Sequence, residues 1–433
     1  MKKLFQNPKA KAATGFWLSS QNLNNIQRLL LYSLILFIPT QLGVHFWPDF
    51  AFIKGVRIDY LSPTMYATDT LILLIFILWI FNRRKFLIKP QFPIVIFALC
   101  LIIGIALSKS PQVGIYGAIK ILEFSFVGFY VAQDTNKLKF ANILLMFSIG
   151  IVFESFLAFA QYINHGSLQG IFYFFGERLF NSNTPGIANA SLGGELFLRP
   201  YGTFSHPNVL AGHLIIAMTL IVASIKYKVL SMKEIFLKLS VIIGTASLLL
   251  TLSRIAIVLW FVILGIYIFR RFVNLKSYII ILSLGLILVL GLTTPLGTRF
   301  ASLKLTDESI VQRESLIKSS IAMIRDNLVF GVGLNNFLIN LPDYQKAHTP
   351  LFYLQPVHNI FLLIFSETGI IGFSFFFWFL VQTYRRINSS FIIYPLSLII
   401  ILGLFDHYFL TLQQGQLLLT FILGLCWYNK PLK

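Results

Sequence analysis

The sequence predicts an all-α, polytopic integral membrane protein of about twelve transmembrane helices, with two large external connections, the second containing an amphipathic helix. Three observations predict it. Of 433 residues, 57% are hydrophobic and only 12% charged, whereas soluble domains average about 45–50% apolar and about 25% charged. Apolar runs long enough to cross a bilayer recur along the whole chain, and Lys and Arg cluster in alternate connections between them. Mean hydropathy is +0.78. The chain reads as one transmembrane domain, 1–433.

The first apolar run, 28–47, follows a basic stretch with no small-residue cleavage site, and reads as a retained helix, not a signal peptide. The runs at 63–82, 92–108, 113–132, 139–163, 209–228, 237–252, 254–270, 275–293, 359–380, 391–409 and 413–428 follow. The pair 237–252 and 254–270 is joined by the very short connection Thr251–Arg254. Cys100 and Cys426 fall in separate spans, so neither a disulfide framework nor a cysteine metal site is indicated.

The net charge of +19 is a topology signal and predicts no nucleic-acid partner. One set of connections holds Lys2, Lys3, Lys9, Lys11 and Arg28, then Arg83, Arg84, Lys85 and Lys89, then Lys137 and Lys139. The same set continues with Lys226, Lys228, Lys233 and Lys238, then Arg270, Arg271 and Lys276, then Arg385 and Arg386, then Lys430 and Lys433. The alternate short connections hold only Lys54, Arg57, Lys109, Arg178, Arg199 and Arg254. The positive-inside rule therefore places both termini in the cytoplasm and predicts an even span count.

Two connections are long, 164–208 and 294–358, and both fall on the external side. Structureless segments of such length are uncommon and are usually functional. In the second, Ser309 and Gln312 form a capping-box start, and Ile310, Ile317, Ile321, Ile324 and Leu328 follow helical spacing. Such a helix can lie along the membrane surface and roof a cavity. Every histidine (His45, His165, His206, His213, His348, His358 and His407) falls on an external connection or at the external end of a span. Asp69, Glu154 and Asp406 lean toward the same half, and an intramembrane acid usually faces a cavity or a partner. Lys120 and Glu123, three residues apart, are expected to pair.

Four stretches carry candidate chemistry. In RPYGTFSHPN, 199–208, Arg199 precedes a Gly, Pro and Asn turn, and its bland reading is an interfacial arginine beside a turn; His206 is the weaker candidate there. In TLSR, 251–254, Arg254 stands between two apolar runs, either as a snorkelling anchor or as a guanidinium suited to bidentate phosphate binding. In 311–337, Arg313 sits on the helix that leads to GVGLNNF; a solvated helix face is its simpler reading, and the glycines suit a helix stop. In PVHNIFLLIFSETG, His358 and Asn359 open the tenth span. Nine residues separate His358 from Glu367, about 180° on a straight helix, so the two form no dyad there. Glu367 is expected to brace neighbouring helices or polar backbone, with Gly369 and Gly372 permitting close approach. His358 is the better base, since imidazole accepts a proton near neutral pH.

Taken in this order, Arg199 with GTF and PN, Ser253-Arg254, the arginine-led segment ending in GVGLNNF, and HN followed by E-x-G resemble the O-antigen ligase and polymerase superfamily of bacterial membrane glycosyltransferases. The resemblance covers roughly residues 110–425. It implies transfer of a glycan from a polyprenyl-pyrophosphate carrier to an acceptor hydroxyl of a glycan, lipid or protein, at the outer face of the inner membrane. It also implies His358 as the base, Arg199, Arg254 and Arg313 on the donor pyrophosphate, and Asn208, Asn359 and Glu367 in support. No divalent metal and no nucleotide cofactor are expected, and in-line attack should invert the anomeric carbon. Asp406 and His407 match no motif; they either shape the acceptor side or cap the last hairpin, the latter being favoured. A secondary transporter or flippase of saccharides is the competing class, although the internal repeats common in such carriers are not evident.

Overall fold

The computed structural model describes residues 20–81, 92–133, 139–192, 195–224, 231–271, 308–345, 353–387 and 389–428. The predicted span at 275–293 and the opening of the second large connection, 294–307, lie outside them.

The chain is mostly helical. In order, its helices are α1 (Ser20–Leu36), α2 (Ala67–Phe81), α3 (Phe92–Leu107), α4 (Pro111–Gln133), α5 (Phe140–Asn164), α6 (Pro207–Ser224), α7 (Ser231–Leu250), α8 (Arg254–Arg271), α9 (Glu308–Asp326), α10 (Phe337–Tyr344), α11 (Ile360–Arg386), α12 (Ser390–Gly403), α13 (Tyr408–Thr411) and α14 (Gln413–Cys426). Each predicted span that falls on described residues overlaps one of them. By length and composition, α4, α5, α6 and α11 suffice to cross a membrane; α2, α3, Arg254–Ile268 and Phe391–Gly403 are shorter apolar helices.

The all-α expectation fails locally. Among the described residues, three two-stranded antiparallel ribbons occur: β1 (Gly43–His45) with β4 (Thr64–Tyr66), β2 (Phe52–Ile53) with β3 (Val56–Arg57), and β5 (Asn189–Leu192) with β6 (Glu195–Leu198). The first span shifts as a result. Helix α1 ends at Leu36, because Pro39 has no N–H to continue the ladder, and the apolar run of 37–47 becomes a turn and a strand.

Helix α6 is the centre. It is apolar all round and buried at nearly every position from Pro207 to Val222, as a helix without a polar face must be. Helices α5, α7, α8 and α12 pack against it, while α3 packs on α11, and α4 on α14. Lys120 on α4 pairs with Glu123 at 2.9 Å, as expected, and also with Asp69 on α2 at 2.6 Å. Gln413 donates to Asp69 and to Thr68. Buried charges persist when they are paired in this way.

Helix α9 turns a different face inward from the one expected. Leu316, Ser320 and Met323 are buried, while Ile317, Ile321 and Leu328 are exposed. The inward face docks on α11, where Ser320 Oγ lies 2.7 Å from Ser366 Oγ. A hydroxyl pair can satisfy itself, so the apolar isoleucines are left for an apolar environment. Arg313, one turn before Leu316, shares the inward side.

Hydrogen bonds join pairs of the connections that the Lys and Arg pattern assigns to one side. Thr40 donates to the Phe175 carbonyl at 2.7 Å, Ser110 N–H to Asn336 Oδ1 at 3.0 Å, and Asn359 Nδ2 to the Leu404 carbonyl at 3.1 Å.

Candidate active site

The RPYGTF turn is held from beneath by two side chains of α5. Gln161 Oε1 accepts the N–H groups of Tyr201 (2.9 Å) and Gly202 (2.8 Å), and its Nε2 donates to the Gly202 carbonyl and to Glu177. Glu154 accepts Thr203 N–H at 2.9 Å. The Thr203 hydroxyl lies 2.7 Å from Glu154 and 2.8 Å from the Pro39 carbonyl, and donates its single proton to one of them. Gly202 has φ +59°, and a Cβ there would collide with the Glu154 carboxyl. The G-T-F triplet is thus the shape that lets a backbone turn rest on a buried carboxyl. Pro207 then starts α6, where its missing N–H costs nothing.

That turn fixes Arg199, which is buried. Its Nε donates to the Thr251 carbonyl at 2.7 Å, and its Nη2 to Asn208 Oδ1 at 2.8 Å. Asn208 therefore serves Arg199 directly. Thr251 belongs to the α7–α8 connection, which reverses through Leu252 at φ +52° and delivers Arg254 as the first residue of α8. One carbonyl thus ties Arg199 to the connection that ends at Arg254. Arg254 Nε is buried and finds no hydrogen-bond partner among the described residues.

His358 stands just before α11. Asn359 is the N-cap of that helix: its Oδ1 accepts Phe361 N–H (2.9 Å) and Leu362 N–H (3.0 Å). Its Nδ2 reaches the Leu404 carbonyl, so one side chain ends the helix and ties it to the 404–407 segment. The His407 ring therefore stands against His358, with centroids 5.0 Å apart and planes at 70°. Tyr60 covers His407 from another side at 5.5 Å. Arg313 Nη1 lies 3.4 Å from the Phe405 carbonyl, which brings a guanidinium to the same segment.

Burial would raise the Asp406 carboxyl, but His407, His358, His206 and Arg313 around it outweigh that and hold it below the usual carboxylate range. Burial pushes His358 below its ordinary value; Asp406 opposes the shift and Arg313 adds to it. Burial takes His407 down to about 3, against the pull of Asp406. His206 falls to about 3 through burial and the Arg199 charge. Its Nδ1 accepts Asn208 N–H at 3.1 Å, so the proton of its neutral ring sits on Nε2. Near neutral pH the cluster holds neutral imidazoles around one carboxylate. His358 Nδ1 is buried with no partner among the described residues.

Glu367 points elsewhere along α11. It accepts backbone N–H groups of Asn335 and Phe337, the latter at 3.3 Å. Gly369 breaks the helix at φ +62°. Gly331 and Gly333 have φ +70° and +98°, and Val332 and Gly333 donate to the Ser366 and Glu367 carbonyls at 2.8 and 3.1 Å. GVGLNNF and E-x-G are two halves of one lock that fixes the segment after α9 to the kink in α11.

Arg199, Asn208, Arg254, Arg313, His358, Glu367, Asp406 and His407 all line one cavity of about 3240 Å³; Asn359 does not. Asp406 and His407, left open between shaping the acceptor side and capping the last hairpin, stand at the start of α13 and beside His358, and His206 lies near the same carboxyl. No motif marks them. Only the outward lean of histidines and acids in the sequence pointed their way. His358, Asp406 and His407 also bring one ligand atom each within 4.8 Å of one another, a donor set that can hold a divalent ion.

The fold is mostly helical, with four helices among the described residues long and apolar enough to cross a membrane, and one cavity is lined by Arg199, Arg254, Arg313 and His358. Residues 239–377 match the Wzy_C family model, O-antigen ligase, and to that extent the chain is similar to the O-antigen ligases. The match takes in Arg254, Arg313, His358 and Glu367. Arg199 precedes it, and Asp406 and His407 follow it. No curated protein matches the chain.

Proposed function

We propose that the protein transfers a glycan from a polyprenyl-pyrophosphate carrier to an acceptor hydroxyl, at the external face of the bacterial inner membrane. The observation that carries this reading is the single cavity lined by Arg199, Arg254, His358 and Asp406, with Arg199 tied to the connection that leads to Arg254 by its bond to Thr251. Pyrophosphate is already a good leaving group and needs charge stabilisation more than protonation, which guanidiniums near a low-dielectric boundary supply. The acceptor hydroxyl is a weak nucleophile. His358 takes its proton as oxygen attacks the anomeric carbon, the bond to pyrophosphate breaks with inversion, and Asp406 balances the imidazolium. An apolar arm of the cavity, lined by Phe97, Leu101, Phe375, Phe379 and Leu419, suits a prenyl chain.

The test uses protein in nanodiscs with a polyprenyl-pyrophosphate-linked glycan, following glycan release and product mass. His358→Ala should lower turnover by about 10²–10⁴-fold, and Arg254→Lys should recover only part of the activity that Arg254→Ala loses, because ammonium lacks the bidentate fork. A product ladder means a polymerase and a single addition a ligase. Full transfer by His358→Ala overturns the assignment of the base.

A further inference from the structure

Two imidazoles and a carboxylate converge where the motifs place a single histidine. Each keeps a donor atom for a ligand. His407 Nδ1 lies 2.7 Å from Thr411 Oγ1, which leaves Nε2, and gives the ring the outer hydrogen bond that typically orients a metal-binding histidine. Asp406 Oδ1 accepts the His407 N–H at 2.8 Å, which leaves Oδ2. His358 Nδ1 is buried with no partner among the described residues. The two chain segments are pinned by the Asn359–Leu404 bond, so the donors are set before any ion arrives. Their ligand atoms lie within 4.8 Å of one another. A tetrahedral zinc ion, about 2.0–2.1 Å from each ligand, spaces its donors about 3.4 Å apart, and small side-chain rotations close that difference.

We propose that His358, Asp406 and His407 form a divalent-cation site of the zinc type, whose occupation removes the lone pair of the His358 base and stops transfer. Two nitrogens and one carboxylate oxygen suit Zn²⁺, whereas Mg²⁺ and Ca²⁺ require oxygen shells. The fourth position opens to the cavity. Arg313 opposes a cation, so the expected affinity is modest, with Kd of order micromolar. The inhibition half rests on the proposed role of His358; the binding half does not.

The experiment takes the full chain in nanodiscs, stripped with EDTA, and titrates Zn²⁺ by calorimetry and Co²⁺ by its visible d–d absorption. One saturable equivalent is expected in wild type, with tetrahedral Co²⁺ bands. Asp406→Asn and His407→Gln should each weaken binding at least tenfold. Absence of that equivalent, or equal affinity in both variants, overturns the site. Asp406→Asn keeps shape and volume, and the Co²⁺ spectrum of wild type needs no variant, so a misfolded His407→Gln cannot obscure the result. Transfer is then assayed with and without Zn²⁺. Inhibition reversed by EDTA is expected. Zinc bound through these residues with transfer unaffected overturns the inhibition and the base role of His358 while the metal site stands; no zinc binding by wild type, with transfer still lost in His358→Ala, overturns the metal site while the base stands.

Discussion

At the scale of single residues, the chemistry depends on which charges share a boundary. His358 is pushed below its ordinary value chiefly by burial, and Asp406 partly restores it. A base works only when neutral, so with EDTA present, transfer should rise with pH through a value below 6.5 and stay level above it. Asp406→Asn removes the charge that raises His358 and leaves Arg313 unopposed. Its acid limb should therefore move to lower pH while the plateau falls, because the imidazolium formed during attack loses its counter-ion. The pH–rate profiles of the two proteins check this, and an acid limb moved upward in Asp406→Asn counts against the pairing. Arg199 illustrates the same economy. It is spent partly on Thr251 and Asn208, so its position, and not only its charge, is specified.

Among elements, the decisive feature is the broken helix α11. Gly369 at φ +62° lies against the backbone of Val329 and Phe330, and a Cβ there would overlap the Val329 carbonyl. Left-handed strain in a non-glycine residue costs about 1–3 kcal/mol before any clash. Gly369→Ala should therefore destabilise by more than 2 kcal/mol, read as a lower unfolding midpoint in detergent. It should also reduce transfer, because the segment after α9 would lose its hold on the kink and the Arg313 face would shift. An unchanged midpoint would remove Gly369 from the lock. Helix α9 carries a related lesson. Its isoleucines have helical spacing, and periodicity alone selected them as the inward stripe. The structure buries Leu316, Ser320 and Met323 instead, because a serine can be buried where a matching hydroxyl such as Ser366 receives it, and an isoleucine can stay outside where the surroundings are apolar.

For the whole molecule, sidedness is a proposal that rests on the Lys and Arg distribution and the positive-inside rule. Cys100 and Cys426 are buried, which suits thiol labelling at introduced sites. A membrane-impermeant maleimide should label Asn183→Cys, exposed on the first large connection, in intact spheroplasts. It should label Arg385→Cys, exposed at the end of α11, only after permeabilisation. Reversed labelling would place the cavity in the cytoplasm and end the proposal of an external transferase.

The sequence by itself determined the helices and their alternation, because burial in lipid demands long apolar runs and topology is written in local charge. It also marked Arg199, Arg254, His358 and the glycine motifs, since left-handed turns and fixed cations constrain residue type locally. Only the tertiary structure decided that Arg199 reaches the Arg254 turn through Thr251, that Asp69 joins the Lys120 pair, and that Asp406 and His407 stand against His358. Those partners lie about fifty or more residues apart. Proximity between distant segments comes from helix packing, which leaves no local signature in the chain.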